Sequence, residues 1–359
     1  MIKKIGNRWP LFKVIVFLIF FTSCKKDFQI KEYKPTLIEY DIPDLFQNKI
    51  TNEPTNNPLT KEGVELGRML FYDPILSKDN SISCSSCHQQ ENGFSDRRKF
   101  SFGVNKTIGI RNSMPIVNAL WGDPFFWDGR SLSLEHQAFS PVRDSNEMNL
   151  GWFEVIARLQ YHDTYPDLFY AAFGSYKIDS NMVVKAISQF ERTLISANSK
   201  WDQFRRSGKE PFDFFTLQEF QGYTIFFTES GDCFHCHGQK ELLTDNLFHN
   251  NGLDEKFQDF GLYDVTGVDQ DKGKFKTPSL RNIEFTAPYM HDGRFETLEE
   301  VIEHYSFGVV PSASIDPLMK KVHQGGLQLT FEERESLIAF LKTFSDSAFI
   351  SNPNFSSPF

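Results

Sequence analysis

The sequence predicts a mainly α-helical protein in which two similar units meet at an interface. Three observations support this prediction: a cysteine-and-histidine motif that occurs twice, longer repeated segments around it, and helix-capping signals followed by apolar residues at helical spacing. The 359 residues are enough for two units that each bury a core.

The repeat extends well beyond the cysteine motifs. The stretch CHQQENGFSD at 87–96 aligns without a gap on CHGQKELLTD at 236–245. Further along, WDGRSLSLE at 127–135 aligns on HDGRFETLE at 291–299. Because a duplicated structural unit explains such matches, we expect equivalent positions to have equivalent roles.

Each cysteine pair is followed at once by histidine, in CSSCH at 84–88 and CFHCH at 233–237. This is the attachment signal of c-type haem, in which two thioethers hold the macrocycle and the histidine becomes an axial ligand of iron. A four-cysteine zinc ribbon would separate its pairs by roughly 15–20 residues, and a redox dithiol needs no following histidine. The sequence therefore predicts two covalently bound haems, with His235 facing solvent. The predicted haem-binding residues are Cys84, Cys87, His88, Cys233, Cys236 and His237.

The opposite face of each iron is predicted to differ between the units. In the second unit, Thr297 and Glu300 form a capping box, and the apolar stripe of the helix that follows reaches Tyr305. An iron atom would be the partner that a buried tyrosine hydroxyl needs. The neighbouring His304 lies about 100° away around the helix and is the alternative ligand. The repeat places Pro141 at the position of Tyr305 in the first unit, and proline has no side-chain donor.

This difference predicts two unequal haem sites. The first haem would have an open sixth position, towards which Gln137 points from the same helical face as Pro141. The second haem would be closed by a protein ligand. Open iron reacts with substrate, whereas closed iron carries electrons or stores oxidising equivalents.

The amino-terminal segment predicts export. Basic residues precede the apolar run Val14–Phe21, which is too short to span a bilayer and is typical of a signal peptide. The run ends at FTSC, which predicts lipid modification of Cys24 and a periplasmic location on a membrane, with ordinary signal cleavage as the alternative. The predicted organisation is a lipoprotein signal peptide at 1–23, a tether at 24–59, haem domains at 60–206 and 207–345, and a tail at 346–359.

The composition makes nucleic acid an unsuitable partner. The formal net charge is −9, whereas nucleic-acid binding requires clustered lysine and arginine. Apart from Cys24, all the cysteines belong to the two haem motifs, so none is left for a structural disulfide.

Taken together, the motifs resemble those of the bacterial dihaem cytochrome c peroxidases, and in particular their MauG-like branch. The residues that carry the resemblance are the two C-x-x-C-H sites, RNSMP, FFWDGR, LEHQAFSPV, EMN, PYMHDG and TLEEVIEHY. The resemblance covers about residues 60–345. It implies a mostly α-helical fold with two cytochrome-c-like haem domains and calcium at their interface.

The resemblance also implies roles for individual residues. His88 would be the proximal ligand of the peroxide-reacting haem, and His237 that of the electron-transfer haem. Trp127 would relay electrons between them. Glu147 would move a proton between the two oxygens of peroxide. The implied distal residues of the first haem are Gln137, Pro141 and Glu147.

The implied calcium ligands are Asn112, Thr286 and Pro288, the last two through backbone carbonyls. Carbonyl oxygens are hard ligands that suit calcium. Nothing in the local composition indicates this site, so it depends on the resemblance alone.

Two positions depart from the pattern of many peroxidases of this family. Where those proteins have a histidine that closes the first haem, this chain has Val104. Where they have a methionine ligand at the second haem, it has Tyr305. Methionine ligation raises the reduction potential, whereas a phenolate should lower it and stabilise oxidised iron. Tyr305 therefore favours MauG-like chemistry, in which both haems share the oxidising equivalents of peroxide.

Three functions are compatible with these features. The first is reduction of hydrogen peroxide to water with electrons from a cytochrome c, a copper protein or a protein substrate. The second is MauG-like oxidation of side chains in a partner protein, and the third is electron transfer without catalysis. An electron carrier would need a protein ligand on both faces of each iron. The first unit has Pro141 at the sixth position, which cannot bind iron, so an enzyme is favoured.

The first testable prediction concerns the number of haems. The holoprotein should contain two haems per chain that stay attached in acidic organic solvent, because thioether bonds survive unfolding. Replacing Cys84 and Cys87 together by serine should remove one of them, and so should the same change at Cys233 and Cys236. Absorption of the pyridine haemochrome per chain measures this number, and a single haem in the unaltered protein would contradict the prediction.

Overall fold

Helices supply nearly all regular secondary structure in the computed structural model, which describes residues 32–359. The predicted signal peptide and Cys24 lie outside the described residues. The α-helices are α1 (Lys61–Tyr72), α2 (Leu134–Arg143), α3 (Trp152–Gln160), α4 (Tyr165–Phe173), α5 (Ser180–Arg192), α6 (Lys200–Ser207), α7 (Pro211–Phe214), α8 (Leu217–Phe226), α9 (Phe234–His237), α10 (Tyr263–Thr266), α11 (Leu298–Glu303), α12 (Phe331–Leu341) and α13 (Ser347–Ile350). Two short antiparallel strands, β1 (Phe248–His249) and β2 (Phe275–Lys276), form one sheet. Within residues 32–359, no helix combines the length and the apolar character that a membrane span requires.

A closely packed helix pair forms the core of each half of the protein. In the first half α1 packs on α5, and a Cβ atom added to Gly67 would lie 1.9 Å from the carbonyl oxygen of Ala186. In the second half α8 packs on α12, and a Cβ atom on Gly222 would lie 1.9 Å from the carbonyl oxygen of Ser336. Both glycines therefore let two helix backbones approach more closely than any side chain would permit.

The segments that carry the distal residues repeat in the same way. An isolated antiparallel bridge precedes each helix, and the helix then begins at a side-chain cap, Ser133 for α2 and Thr297 for α11. The bridges join Phe125 with Ser131 and Tyr289 with Phe295. The predicted mainly α-helical fold with two related halves is confirmed.

The predicted tether packs on the protein in its described part. Phe46 is fully buried and belongs to a cluster with Trp121 of the first half and Leu242 of the second. Leu59, just before α1, is also buried. Residues 32–59 therefore contribute apolar contacts to the core.

The predicted tail, residues 346–359, packs on the first half although it follows the last helix of the second. Phe349 is buried against Phe71 and Phe94. The guanidinium of Arg68 donates hydrogen bonds to two backbone carbonyls of this segment. The carboxyl end of the chain thus holds the two halves together.

A buried ion pair lies between α6 and the segment after the second haem motif. Arg281 donates to both carboxylate oxygens of Asp202 at 2.8 and 2.9 Å, and both side chains are fully buried. Two parallel hydrogen bonds of this kind fix geometry as well as charge. The pair therefore orients the backbone that follows the second haem motif.

The second prediction tests the helix contact at Gly222. Gly222→Ala should destabilise the protein by about 1–3 kcal/mol, because the added methyl group forces α8 away from α12. Gly151→Ala is the control, since a Cβ atom there meets nothing within 4 Å. Urea unfolding followed by far-ultraviolet circular dichroism measures both, and equal stability of the two variants would contradict the proposed packing.

Candidate haem sites

The first cavity, of about 280 Å³, contains the first cysteine-histidine motif. Residues predicted for the distal pocket line the same cavity. Gln137 and Pro141 reach it from α2, because residues four apart lie on one face of a helix. The structure thus brings together Cys84, Cys87, His88, Gln137, Pro141 and Glu147.

The second cavity, of about 220 Å³, contains the second motif. Its lining includes Tyr305 but not His304. Met290, from the segment PYMHDG, lines it as well. The motif residues Cys233, Cys236 and His237 all contribute to this cavity.

The two motif histidines are oriented by the same hydrogen bond. His88 Nδ1 lies 2.9 Å from the carbonyl oxygen of Phe94, and His237 Nδ1 lies 3.0 Å from that of Leu243. Since a carbonyl only accepts, Nδ1 carries the proton in each ring and Nε2 is left with its lone pair. Burial lowers the pKa of both imidazoles, which favours the neutral form that binds iron.

The cysteines are also suited to covalent haem attachment. None of the four cysteines in the described part of the chain forms a disulfide. Burial raises the pKa of the Cys87 thiol to about 11 and that of Cys233 to about 12. Each cavity therefore offers two thiols and one neutral imidazole, the donor set that a c-type haem requires.

Trp127 lies between the two cavities and lines both of them. Its side chain is buried, and its indole N–H donates to the backbone carbonyl of Asn112 at 2.8 Å. This bond fixes the ring in the wall that the cavities share. The position suits an electron relay, which stays a prediction.

Glu147 is held in the first cavity by its own loop and by a neighbouring one. Its backbone N–H donates to the carbonyl of Asp144, and its carbonyl accepts from the N–H of Val104 at 2.8 Å. Burial, with a smaller contribution from the charge of Asp144, raises the pKa of Glu147 to about 7. A carboxyl group with this pKa can both accept and donate a proton near neutral pH.

The loop that carries Val104 supports Glu147 and does not supply a ligand. Val104 is buried and is absent from the lining of the first cavity. At Gly103 a Cβ atom would lie 2.0 Å from the carbonyl oxygen of Asn146, so glycine allows this close contact. Met148 also lines the cavity, but it is buried in the main apolar cluster of the first half.

Tyr305 faces the second cavity from a π-helical turn, His304–Gly308, that continues α11. Its hydroxyl accepts a hydrogen bond from Asn251 Nδ2 at 3.0 Å. Burial raises the pKa of Tyr305 to about 12, and the bond from Asn251 opposes this shift. His304 is buried outside the cavity, where it packs beside Phe295. The geometry therefore favours Tyr305 over His304 as the sixth ligand.

The sequence analysis assigned no role to several polar or sulfur-containing residues of the cavities, among them Asn251, Met290 and Glu191. Asn251 contacts the Tyr305 hydroxyl, and Met290 lies nearby, with its sulfur 3.6 Å from Asn251 Nδ2. Glu191 lines the first cavity from α5, and burial raises its pKa to about 8. The only sign of Glu191 in the sequence was its position directly before Arg192, since two charged residues there end an otherwise apolar helix face.

The prediction for His235 was wrong. Its side chain is only 23% exposed, and Nε2 lies 3.0 Å from an oxygen of Asp232. Lys320 Nζ lies 3.0 Å from the same nitrogen. These neighbours hold the imidazole against the wall of the second cavity, which it lines, so it does not face solvent as predicted.

The residues implied for calcium binding lie in buried loops. Asn112 Nδ2 donates to the carbonyls of Arg98 and Lys99, which leaves Oδ1 as the oxygen that could bind a cation. Thr286 and Pro288 are also buried. Calcium binding at these residues stays a prediction.

Two cavities of this composition, in two related helical halves, define a c-type dihaem protein. A family model for di-haem cytochrome c peroxidase matches residues 61–210. Methylamine utilization protein MauG of Methylorubrum extorquens is 36% identical over 293 residues, which cover 81% of this chain and 80% of that protein. Cytochrome c551 peroxidase of Nitrosomonas europaea is 32% identical over 310 residues, or 84% of each chain.

Solved structures agree with these sequence relatives. The crystal structure of a MauG-like protein associated with microbial copper homeostasis has a TM-score of 0.81 and 35% identity, and covers 89% of this chain and 99% of that one. This chain therefore belongs to the dihaem cytochrome c peroxidase family, as its motifs predicted. It is an oxidoreductase of that family, which implies two haem c groups.

The third prediction tests Glu147 as a proton carrier. To accept a proton from peroxide Glu147 must be ionised, so its raised pKa means that the reaction rate should rise with pH through about pH 7. Glu147→Gln should lose this pH dependence and slow the reaction by about 10²–10⁴. Stopped-flow mixing of the oxidised holoprotein with peroxide measures both effects.

The matched control for Glu147→Gln is Glu154→Gln, at an exposed glutamate that pairs with Arg158. This variant should keep both the rate and the pH profile. An unchanged rate in Glu147→Gln, with both haems in place, would show that Glu147 takes no part in proton transfer.

The fourth prediction separates Tyr305 from His304. Tyr305→Phe should open the second haem and convert it from low-spin to high-spin, because the hydroxyl that faces the cavity is lost. His304→Ala should leave that haem low-spin. Absorption and magnetic circular dichroism spectra of the oxidised variants measure the spin state, and the opposite pattern would identify His304 as the ligand.

Proposed function

We propose that this protein reduces hydrogen peroxide to water at the first haem site and supplies the electrons through the second. The observation that carries the proposal is the inequality of the two cavities. The first has Pro141, Gln137 and Glu147 in its wall, and the second has the hydroxyl of Tyr305. An open site and a closed site are what a reacting haem and an electron-transfer haem require.

The residues of the first cavity have distinct parts in this reaction. When bound, the first haem supplies the redox chemistry at its iron. Pro141 leaves space for peroxide, and the amide of Gln137 can hold it by hydrogen bonds. Glu147 accepts a proton from one peroxide oxygen and returns it to the other, so that this oxygen leaves as water. The complete reaction consumes two electrons and two protons and forms two water molecules.

The electrons would come from a small cytochrome c, a copper protein or the side chains of a protein substrate. Trp127 lies in the wall between the cavities, which supports a path from the second site to the first. The names of the relatives include both cytochrome c peroxidases and MauG, which supports testing more than one kind of electron donor.

A second candidate is MauG-like oxidation of side chains in a partner protein. Tyr305 favours this candidate, because a phenolate ligand would stabilise oxidised iron at the second site. The structural relative associated with copper homeostasis suggests a copper protein as one partner to test. A carrier without catalysis is disfavoured by Pro141, which offers no sixth ligand to the first iron.

We also propose that the protein is exported and attached to a membrane through a lipid on Cys24. The apolar run before Cys24 supports this location. Cys24→Ala should move the protein from the membrane fraction to the soluble periplasmic fraction. An unchanged distribution would argue against the lipid anchor.

Steady-state peroxide consumption tests the proposed reaction. The fully oxidised holoprotein is assayed with reduced cytochrome c, a reduced copper protein and no donor, and the half-reduced form is assayed in parallel. Turnover should depend on a donor and should need no prior half-reduction, since the described loop around Val104 supplies no ligand to the first haem. Oxidation of a partner protein's side chains without donor turnover would favour the second candidate. If neither peroxide turnover nor oxidation of a partner protein occurs, electron transfer without catalysis is the function that fits.

A further inference from the structure

Lys276, the last residue of β2, lies in the wall between the two cavities. It lines both of them, as Trp127 does. Its backbone N–H donates to the backbone carbonyl of Trp127 at 2.8 Å. The strand therefore fixes the backbone of Lys276 beside that of Trp127, in the wall that the two cavities share.

The ammonium group of Lys276 is buried without a carboxylate partner. The residue is 7% exposed, and Nζ donates to the backbone carbonyl of Pro124 at 2.6 Å. It also lies 5.6 Å from the centre of the Phe125 ring. Among residues 32–359, no Asp or Glu oxygen lies within ion-pairing distance of this nitrogen.

The unpaired ammonium of Lys276 differs from the buried guanidinium of Arg281, which has a carboxylate partner. Arg281, which is fully buried, has both carboxylate oxygens of Asp202 as partners. The ammonium of Lys276 has three donors, and residues 32–359 offer it one hydrogen-bond acceptor, the carbonyl of Pro124. A buried charge is costly unless it is paired. The other two N–H groups of Lys276 therefore need hydrogen-bond acceptors from a group that is bound in one of the cavities.

Haem propionates are acceptors of the required kind. Each haem c carries two carboxylates at its edge, and Lys276 is the described lysine that lines both haem cavities. Burial lowers the pKa of Lys276 to about 8, which still leaves it charged at neutral pH. A propionate beside it would favour the charged form further.

We propose that Lys276 is a positioning residue shared by the two haem sites. Its ammonium binds haem propionate and places one positive charge between the cavities. A positive charge in a medium of low dielectric constant favours the reduced state of nearby iron, since that state carries less positive charge. Lys276 thereby raises the reduction potentials of both haems together. This inference depends on the two haems and not on the peroxide reaction.

Reduction potentials of both haems, measured by spectroelectrochemical titration of the holoprotein, test the proposal. Lys276→Met, which keeps the apolar stem and removes the charge, should lower both potentials. Lys276→Arg, which keeps the charge, should lower them less. Lys274→Met is the matched control, because Lys274 pairs with Asp271 and lines neither cavity. It should leave both potentials unchanged.

Three results would overturn the proposal. The first is two unchanged potentials in Lys276→Met, and the second is a shift of one haem alone, which would remove the shared role. The third is an equal shift in Lys274→Met, which would indicate a general effect of surface charge. If Lys276→Met binds fewer than two haems, Lys276→Gln is titrated in its place, and unchanged potentials in that variant count equally against the proposal.

Discussion

The wall between the two cavities is the constraint on which the rest of this structure depends. Each haem needs its own enclosed site, yet electrons can pass between the sites only if one thin layer of protein separates them. The hydrogen bond from the backbone N–H of Lys276 to the carbonyl of Trp127 joins the two halves within that layer. The Trp127 indole is anchored in turn to Asn112, whose backbone N–H donates to the carbonyl of His291 in the second half.

The two halves of the protein are alike on one side of each cavity and differ on the other. The proximal sides are the same, since His88 and His237 are both oriented by a carbonyl six residues further on. The distal sides differ, because α2 continues through Pro141, whereas α11 passes into a π-helical turn that carries Tyr305. A common scaffold thus gives the two cavities the same motif geometry but different residues on the opposite wall.

Local patterns in the sequence were enough to predict one part of this arrangement. The haem motifs and the capping boxes depend on residues close together in the chain, and the structure has a side-chain cap at Ser133 and at Thr297. The repeat also placed Pro141 and Tyr305 at equivalent positions, and each of them lines one cavity. The sequence favoured Tyr305, which lies on the apolar stripe of the helix, and kept His304, about 100° away around it, as the alternative. The π-helical turn, which no local signal indicated, places only Tyr305 in the cavity lining.

The remaining features could not be predicted because they depend on contacts between distant segments. Asn251 meets Tyr305 across 54 positions of sequence, and Lys276 meets Pro124 across 152. His235 was predicted to face solvent because no local signal showed that Lys320 would lie beside it. Phe46 lay in a stretch without periodicity, yet it is fully buried between the two halves.

Electron paramagnetic resonance of the fully oxidised holoprotein tests the central claim, that the two haem sites are unequal, most directly. We expect one high-spin ferric signal, from a first haem without a sixth protein ligand, and one low-spin signal of equal intensity, from a second haem closed by Tyr305. Two low-spin signals would reveal a sixth ligand on the first iron. Two high-spin signals would show that Tyr305 does not bind the second iron, and either result would contradict the inequality of the two sites.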